Sequence, residues 1–369
     1  MQSADDLAHW LRLCLIPGIG PETQRALLAA FGLPGRIFEA GPRALAQVVG
    51  DKLASALRTH DNAAAVGAAL AWAAEPGNAI LTLADAAYPQ ALLQISDPPT
   101  LLYAKGRTAL LNASALAIVG ARSATPQGEA NAEAFAEAFS RAGLTVVSGL
   151  ALGIDAAAHR GALRGAAGTI AVVGTGADRI YPARNAALAR DIVEAGVVLS
   201  EFPLGTPPAA YNFPRRNRLI SGLARGVLVV EAAIDSGSLG TARLAAEQGR
   251  EVFAIPGSIH SPQARGCHRL IKQGAKLVES AQDVLEELRW QAAPAPLAAA
   301  TAPEPLPDGP ARSVLDALGH DPLDVDTLAA RAGLTADALF AILTGLELEG
   351  HVARLAGGRF QRINRRQSG

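Results

Sequence analysis

The chain is short of cysteine, aromatic residues, lysine and long apolar runs, and each shortage removes a class of function. Two cysteines in 369 residues, Cys14 and Cys267, cannot frame a disulfide scaffold, and neither has a CxxC partner or a nearby ligand cluster. No metal site and no cofactor are expected. The longest uncharged apolar stretch ends near Ala74 and falls short of the roughly 20 residues that cross a bilayer, so no membrane insertion is expected. The opening residues are acidic at Asp5 and Asp6, unlike a secretory signal. These features predict a reduced, cytoplasmic protein. Aromatics make up only 4% of residues, leaving few rings for stacking on bases. Lysine occurs at Lys52, Lys105, Lys272 and Lys276 alone, whereas arginine is abundant; genomic base composition explains that bias without function.

What remains is ample material for a folded core. Half the residues are hydrophobic and 18% are charged, and the length suits two or three domains. Residues 1–77 read as short Ala- and Leu-rich helices, an N-terminal domain of helix-hairpin-helix or SAM type. Within it Leu15-Ile16-Pro17-Gly18-Ile19-Gly20 feeds a helix over Thr23–Phe31, a turn suited to a phosphate or simply to tight reversal. Residues 78–290 alternate apolar β-type runs with helical patterns. The runs are Leu116–Val119, Leu144–Val147, Thr169–Val173, Val197–Leu199, Gly226–Val230, Glu251–Ile255 and a short Leu277-Val278. Continuous apolar strands separated by helices predict a doubly wound α/β domain with a parallel sheet covered on both faces. The stretch Ile80–Lys105 reads as an extended lead-in. A Pro/Ala linker over 291–310 precedes a unit over 311–369 with the helix-turn-helix and hairpin order of a winged helix. That last unit holds seven arginines and seven acids, so groove reading and partner docking are equally open.

One stretch concentrates cations. Phe213-Pro214-Arg215-Arg216-Asn217-Arg218-Leu219-Ile220-Ser221-Gly222-Leu223-Ala224-Arg225 carries four arginines and no acid, in a chain of formal net charge −1. Guanidinium groups bind phosphate in a bidentate fork and stack on rings; a solvated helix face is the plainer explanation. Small-residue turns close the strands at Gly120-Ala121-Arg122-Ser123, Ser148-Gly149-Leu150-Ala151, Gly174-Thr175-Gly176 and Ser236-Gly237-Ser238. In an open parallel sheet these turns gather at the carboxyl edge, where helix N-termini offer N–H groups to anions. Turns and arginines together predict an anion site.

Catalytic signals are sparse. The first turn is not GxGxxG, no acid ends the second strand, and no P-loop lysine follows a Gly-rich turn. No nucleophile elbow is present. His159 follows Asp155 by one helical turn, a spacing that is usually structural. Glu231 and Glu247 are the acids nearest the fifth turn and would be the carboxylates of a glycosidic-bond enzyme. Such an enzyme, similar to the nucleoside-monophosphate phosphoribohydrolases, is the alternative reading. Glu247 lies six residues past Thr241, which fits that pattern poorly.

The motifs together resemble one family. Val119-Gly120-Ala121-Arg122, Ser148-Gly149-Leu150-Ala151 with Gly153-Ile154-Asp155 and His159, Gly174-Thr175-Gly176 with Tyr181-Pro182 and Asn185, the Phe213–Leu223 run, Glu231-Ala232 with Ser236-Gly237-Ser238, and Ala254-Ile255-Pro256-Gly257 resemble the DprA/Smf DNA-processing family of natural transformation. The likeness spans roughly residues 80–280. It implies an extended Rossmann domain and a non-enzymatic mediator that binds single-stranded DNA, protects it, displaces single-strand-binding protein and loads RecA as a homodimer. Carried to this sequence, it implies a DNA site of Gly120, Arg122, Ser123, Ser148, Gly149, Gly176, Arg184, Asn185, Phe213, Arg215, Arg216, Asn217, Arg218, Ser236, Gly237 and Ser238. The family's lysine after Tyr-Pro is Ala183 here, with Arg184 next. Cys267, His268, Leu270 and Ile271 resemble the segment that contributes to dimerisation.

Overall fold

The computed structural model describes residues 4–291, 307–319, 321–355 and 357–363. Most of the expected Pro/Ala linker and the Arg365-Arg366 tail lie outside them.

Nine strands form the central sheet: β1 (Asn78–Thr82), β2 (Leu101–Gly106), β3 (Ala115–Val119), β4 (Thr145–Ser148), β5 (Thr169–Val172), β6 (Val197–Ser200), β7 (Gly226–Val229), β8 (Glu251–Ala254) and β9 (Lys276–Leu277). Their spatial order is β1-β2-β6-β5-β4-β3-β7-β8-β9. β1 and β2 run antiparallel to each other, and β2 runs antiparallel to β6; every other pairing is parallel. Each parallel strand from β3 to β7 is buried throughout, because helices cover both faces. Alternation then divides the side chains. Ala115, Ala117 and Val119 of β3 join the core beneath the helices Asn212–Leu223 and Gly237–Glu247. Leu116 and Ile118 join the core beneath Pro126–Arg141 and Ile154–Ala162.

The lead-in over 80–105 is not simply extended. Its two ends pair as β1 and β2, from Asn78 opposite Lys105 to Thr82 opposite Leu101. Local polar closure explains the pairing. The Asp85 carboxylate accepts the Thr82 N–H at 2.7 Å, and the fully buried Tyr88 donates its hydroxyl to the Pro99 carbonyl at 2.7 Å.

The chain from β3 to β6 advances toward one edge of the sheet, and from β7 to β9 toward the other. β3 and β7 are therefore neighbours at the point of reversal. Their carboxyl ends lead connections to opposite sides and leave a crevice between them. The reversal fixes where a ligand can sit.

Five helices precede the sheet: Ala4–Cys14, Pro21–Phe31, Pro34–Glu39, Pro42–Thr59 and Ala63–Ala73. The first four share a small core around Leu13, Ile16, Leu27 and Ile37. Trp10, Leu11 and Trp72 pack with Ile80, Leu101 and Tyr103, which docks the helices on the β1–β2 edge. At the other end, helices Pro310–Leu318, Val325–Ala332 and Ala336–Leu348 enclose their own core with a three-stranded antiparallel sheet. Among the described residues no single helix is long and apolar enough to cross a membrane.

Candidate nucleic-acid interface

A cleft of about 710 Å³ opens at the reversal point. Three elements build it. The turn after β3 supplies Gly120, Arg122 and Ser123; the helix Asn212–Leu223 supplies Phe213, Arg216 and Asn217; the turn entering the helix Gly237–Glu247 supplies Ser236, Gly237 and Ser238. Gly120 is glycine because a Cβ there would stand 2.6 Å from the Ile154 side chain and 2.9 Å from the Glu231 carbonyl. Ser236 caps its helix, and its hydroxyl meets that of Ser238 at 2.7 Å, so two hydroxyls stand at a positive helix end.

The cations differ in burial. Arg122 is exposed at the mouth, its guanidinium 5.5 Å from the centre of the Phe213 ring. Among the described residues it meets no carboxylate within ion-pair distance. Phe213 in turn lies 5.7 Å from Tyr181, giving a two-ring wall. Arg216 forms the floor at 4% exposure. It donates to the Val172 carbonyl and faces the buried Asp155 carboxylate, which itself accepts N–H groups from Gly149 at 3.1 Å and Ala151 at 3.4 Å. Burial lowers the Arg216 guanidinium from 12.5 to about 10, an effect that Asp155 opposes and Arg122 reinforces. Burial also raises Asp155, against the pull of Arg216. Among the described residues the buried Arg216 Nε has no hydrogen-bond partner.

The remaining residues of the expected site lie elsewhere. Ser148 is buried and donates to the Ile118 carbonyl at 2.6 Å. Gly149 is the seat of Arg216, since a Cβ there would lie 2.6 Å from the guanidinium carbon. Asn185 is buried and donates to the Leu150 carbonyl at 2.9 Å, holding the second turn. Gly176 sits against Asp178 and the Gly205 backbone. Arg184 is exposed but does not line the cleft. Arg215 turns away to stack on Phe202 at 5.3 Å and to pair with Glu201 at 3.4 Å. Arg218 is consumed by the fold, paired with Asp97 at 2.6 Å and with the buried Glu201 at 2.7 Å.

The Asp155–His159 spacing does not make a catalytic pair. The His159 ring nitrogen Nδ1 meets the Thr169 hydroxyl at 2.7 Å, and burial lowers the ring from 6.5 to about 3. Glu231 accepts the Thr125 N–H at 2.9 Å and its hydroxyl at 2.6 Å, bracing the start of the helix Pro126–Arg141. Glu247 pairs with Arg243 on an exposed helix surface at 3.5 Å. The acids that line the cleft are Asp155 and Asp235. Sequence spacing gave no sign that Asp155 and Arg216 would line one cleft and influence each other's charge, and it also missed Gln263, which lines the same cleft.

The residues of the expected dimerisation segment differ in burial. Cys267 is fully buried in the core of its own chain, near the Val229 and Val230 carbonyls at 3.7 Å, and burial pushes its thiol up to about 12. His268 is half-buried, with Nε2 3.0 Å from the Gly257 carbonyl; Leu270 and Ile271 pack against the same core.

With this geometry in place, the likeness to known proteins is specific. The model of the DNA recombination-mediator protein A family matches residues 79–289. Protein Smf of Escherichia coli is 42% identical over 313 residues, covering 79% of this chain and 80% of that protein. This chain belongs to the DNA recombination-mediator protein A family. The family's winged helix domain matches residues 298–358. DNA processing protein DprA of Streptococcus pneumoniae is 48% identical over 209 residues, covering 57% of this chain and 74% of that protein. A crystal structure of the S. pneumoniae protein superposes with a TM-score of 0.67 at 37% identity, covering 78% of this chain and 98% of that one. A structure of DNA processing protein A from Helicobacter pylori, described for its single-stranded DNA binding mode, gives a TM-score of 0.52 at 32% identity and covers 57% and 95%.

Proposed function

We propose that the cleft binds the phosphate backbone of single-stranded DNA and that the protein is a non-catalytic recombination mediator in the cytoplasm. The observation that carries this reading is Arg122, an exposed guanidinium without an acidic partner among the described residues, set over Phe213 beside the Ser236–Ser238 helix end. Phosphate suits the cation and the helix N-terminus together, and the ring pair offers a face to a base. Gly120, Ser123, Asn217, Gly237 and Ser238 complete the contact surface, with Arg216 as its floor. The single-strand binding described for the H. pylori relative supports the choice of ligand. Family membership supports extending this reading to protection of the strand, displacement of single-strand-binding protein, RecA loading and homodimerisation.

Fluorescence anisotropy with a labelled oligothymidine tests the site. Arg122→Ala is expected to weaken binding about tenfold or more and to flatten the log–log salt slope by about 0.7, the single-strand value for one phosphate. Undiminished affinity with an unchanged slope refutes this use of the cleft. Incubation with nucleoside monophosphates tests the phosphoribohydrolase alternative, which requires release of free base.

A further inference from the structure

The chain has four tyrosines, and they fall into two pairs. Tyr88 and Tyr103 are 0% and 2% exposed in the core, whereas Tyr181 and Tyr211 are 44% and 76% exposed. One exposed tyrosine lines the cleft, and the other is next in sequence to a residue that does. Tyr181 lines it against Phe213, and Tyr211 follows directly on Ala210, which also lines it. Single exposed apolar residues are ordinary on any surface. A sequence with 4% aromatics that sets one solvent-facing tyrosine in the cleft and the other beside a residue lining it is a more specific arrangement.

The backbone beneath Tyr211 is anchored. The next residue, Asn212, is 2% exposed; its side chain donates to the Gly174 carbonyl at 3.0 Å, and its N–H donates to the Ala209 carbonyl at 3.0 Å. The backbone that carries Tyr211 is thus anchored, and the ring itself is exposed. Among the described residues the ring has no hydrogen bond, aromatic or cationic partner.

We propose that Tyr211 is a base-stacking platform for a nucleotide just outside the cleft, so that the strand leaves the Arg122–Phe213 wall and lays its next base on this ring. The inference rests on the reading of the cleft as a single-strand site and adds a residue that binds base rather than phosphate. Stacking on an aromatic face tolerates any base and carries no counterion release, so it strengthens binding without steepening its salt dependence.

Two oligothymidines of equal length separate the possibilities, one intact and one with abasic sites that keep every phosphate. On the intact strand Tyr211→Ala is expected to lose about tenfold in affinity at an unchanged salt slope, while Tyr211→Phe stays within about twofold of wild type. On the abasic strand wild type and Tyr211→Ala are expected to bind equally. Full affinity of Tyr211→Ala on the intact strand overturns the proposal, and so does an equal loss on both strands. Arg122→Ala, measured alongside, reports on the cleft itself: if that variant binds normally the phosphate site is wrong, whatever Tyr211 shows. Because the Tyr211 side chain is exposed, all variants should share the wild-type melting temperature.

Discussion

Replacing Gly149 with alanine should unseat the floor of the cleft. The new methyl group would lie 2.6 Å from the Arg216 guanidinium carbon and 2.7 Å from its Nη2, far inside contact distance. Strand β4 ends one residue earlier, held in register between β3 and β5, so the backbone cannot give way. The guanidinium must leave, and with it go the bond to the Val172 carbonyl and the charge that faces Asp155. Two costs add. Overpacking is worth about 1–3 kcal/mol. Removing the cation that favours the buried Asp155 carboxylate, which keeps its bonds from Gly149 and Ala151, adds about 1–3 kcal/mol. A combined loss of about 2–6 kcal/mol should lower the melting temperature by roughly 4–24 °C for a domain of this size. Calorimetry of Gly149→Ala reads the loss, and Asp155→Asn placed in the same background should recover part of it by removing the stranded charge. A Gly149→Ala protein that melts with wild type, or a double variant no better than the single, refutes the argument that Gly149 exists to seat Arg216.

Other expectations follow from neighbouring groups. His159 has a folded value of about 3, below its ordinary 6.5, so its stabilising effect is complete above 6.5 and is lost as pH falls toward 3. Urea melts should show wild type losing about 2 kcal/mol more than His159→Gln between pH 7 and pH 5. Glu231 is raised, mainly by burial, so its folded form holds a proton more tightly than the unfolded chain. Stability should therefore decline as pH rises through its titration, and Glu231→Gln should flatten that part of the pH profile. Arg218→Met leaves Glu201 buried without its closest cation and should cost about 3–5 kcal/mol; where the variant remains folded, its DNA salt slope should match wild type. For wild type that slope should be near −3, from about four phosphates at about −0.7 each.

The parallel strands were legible because each is a short apolar run bounded by turn residues, and β3–β8 formed within a residue or two of those runs. β1 and β2 were harder. Tyr88, Pro89 and Pro99 signal irregular chain, and only the tertiary bond from Tyr88 to the Pro99 carbonyl closes the hairpin. At the cleft the Gly-rich turns and the Arg215–Arg218 run pointed to the right edge of the sheet, but spacing does not say which way an arginine faces. On one helix, Arg216 and Asn217 reach the cleft, Arg215 turns to Phe202, and Arg218 is taken by Glu201 and Asp97. The acids that decide this come from distant strands and loops. No local pattern reveals them.

The antiparallel pair at the start of the sheet also covers a strand edge open to edge-to-edge aggregation. β6 is a wholly buried Val-Val-Leu-Ser strand, and its free side is covered along four residues by β2. Cutting the chain just before β3 would keep the parallel strands and the cleft yet bare a flat apolar edge, a ready template for another copy. The family match begins at residue 79, within β1 rather than at β3. The smallest piece that stays monodisperse should therefore begin at or before Asn78, well ahead of every residue that lines the cleft.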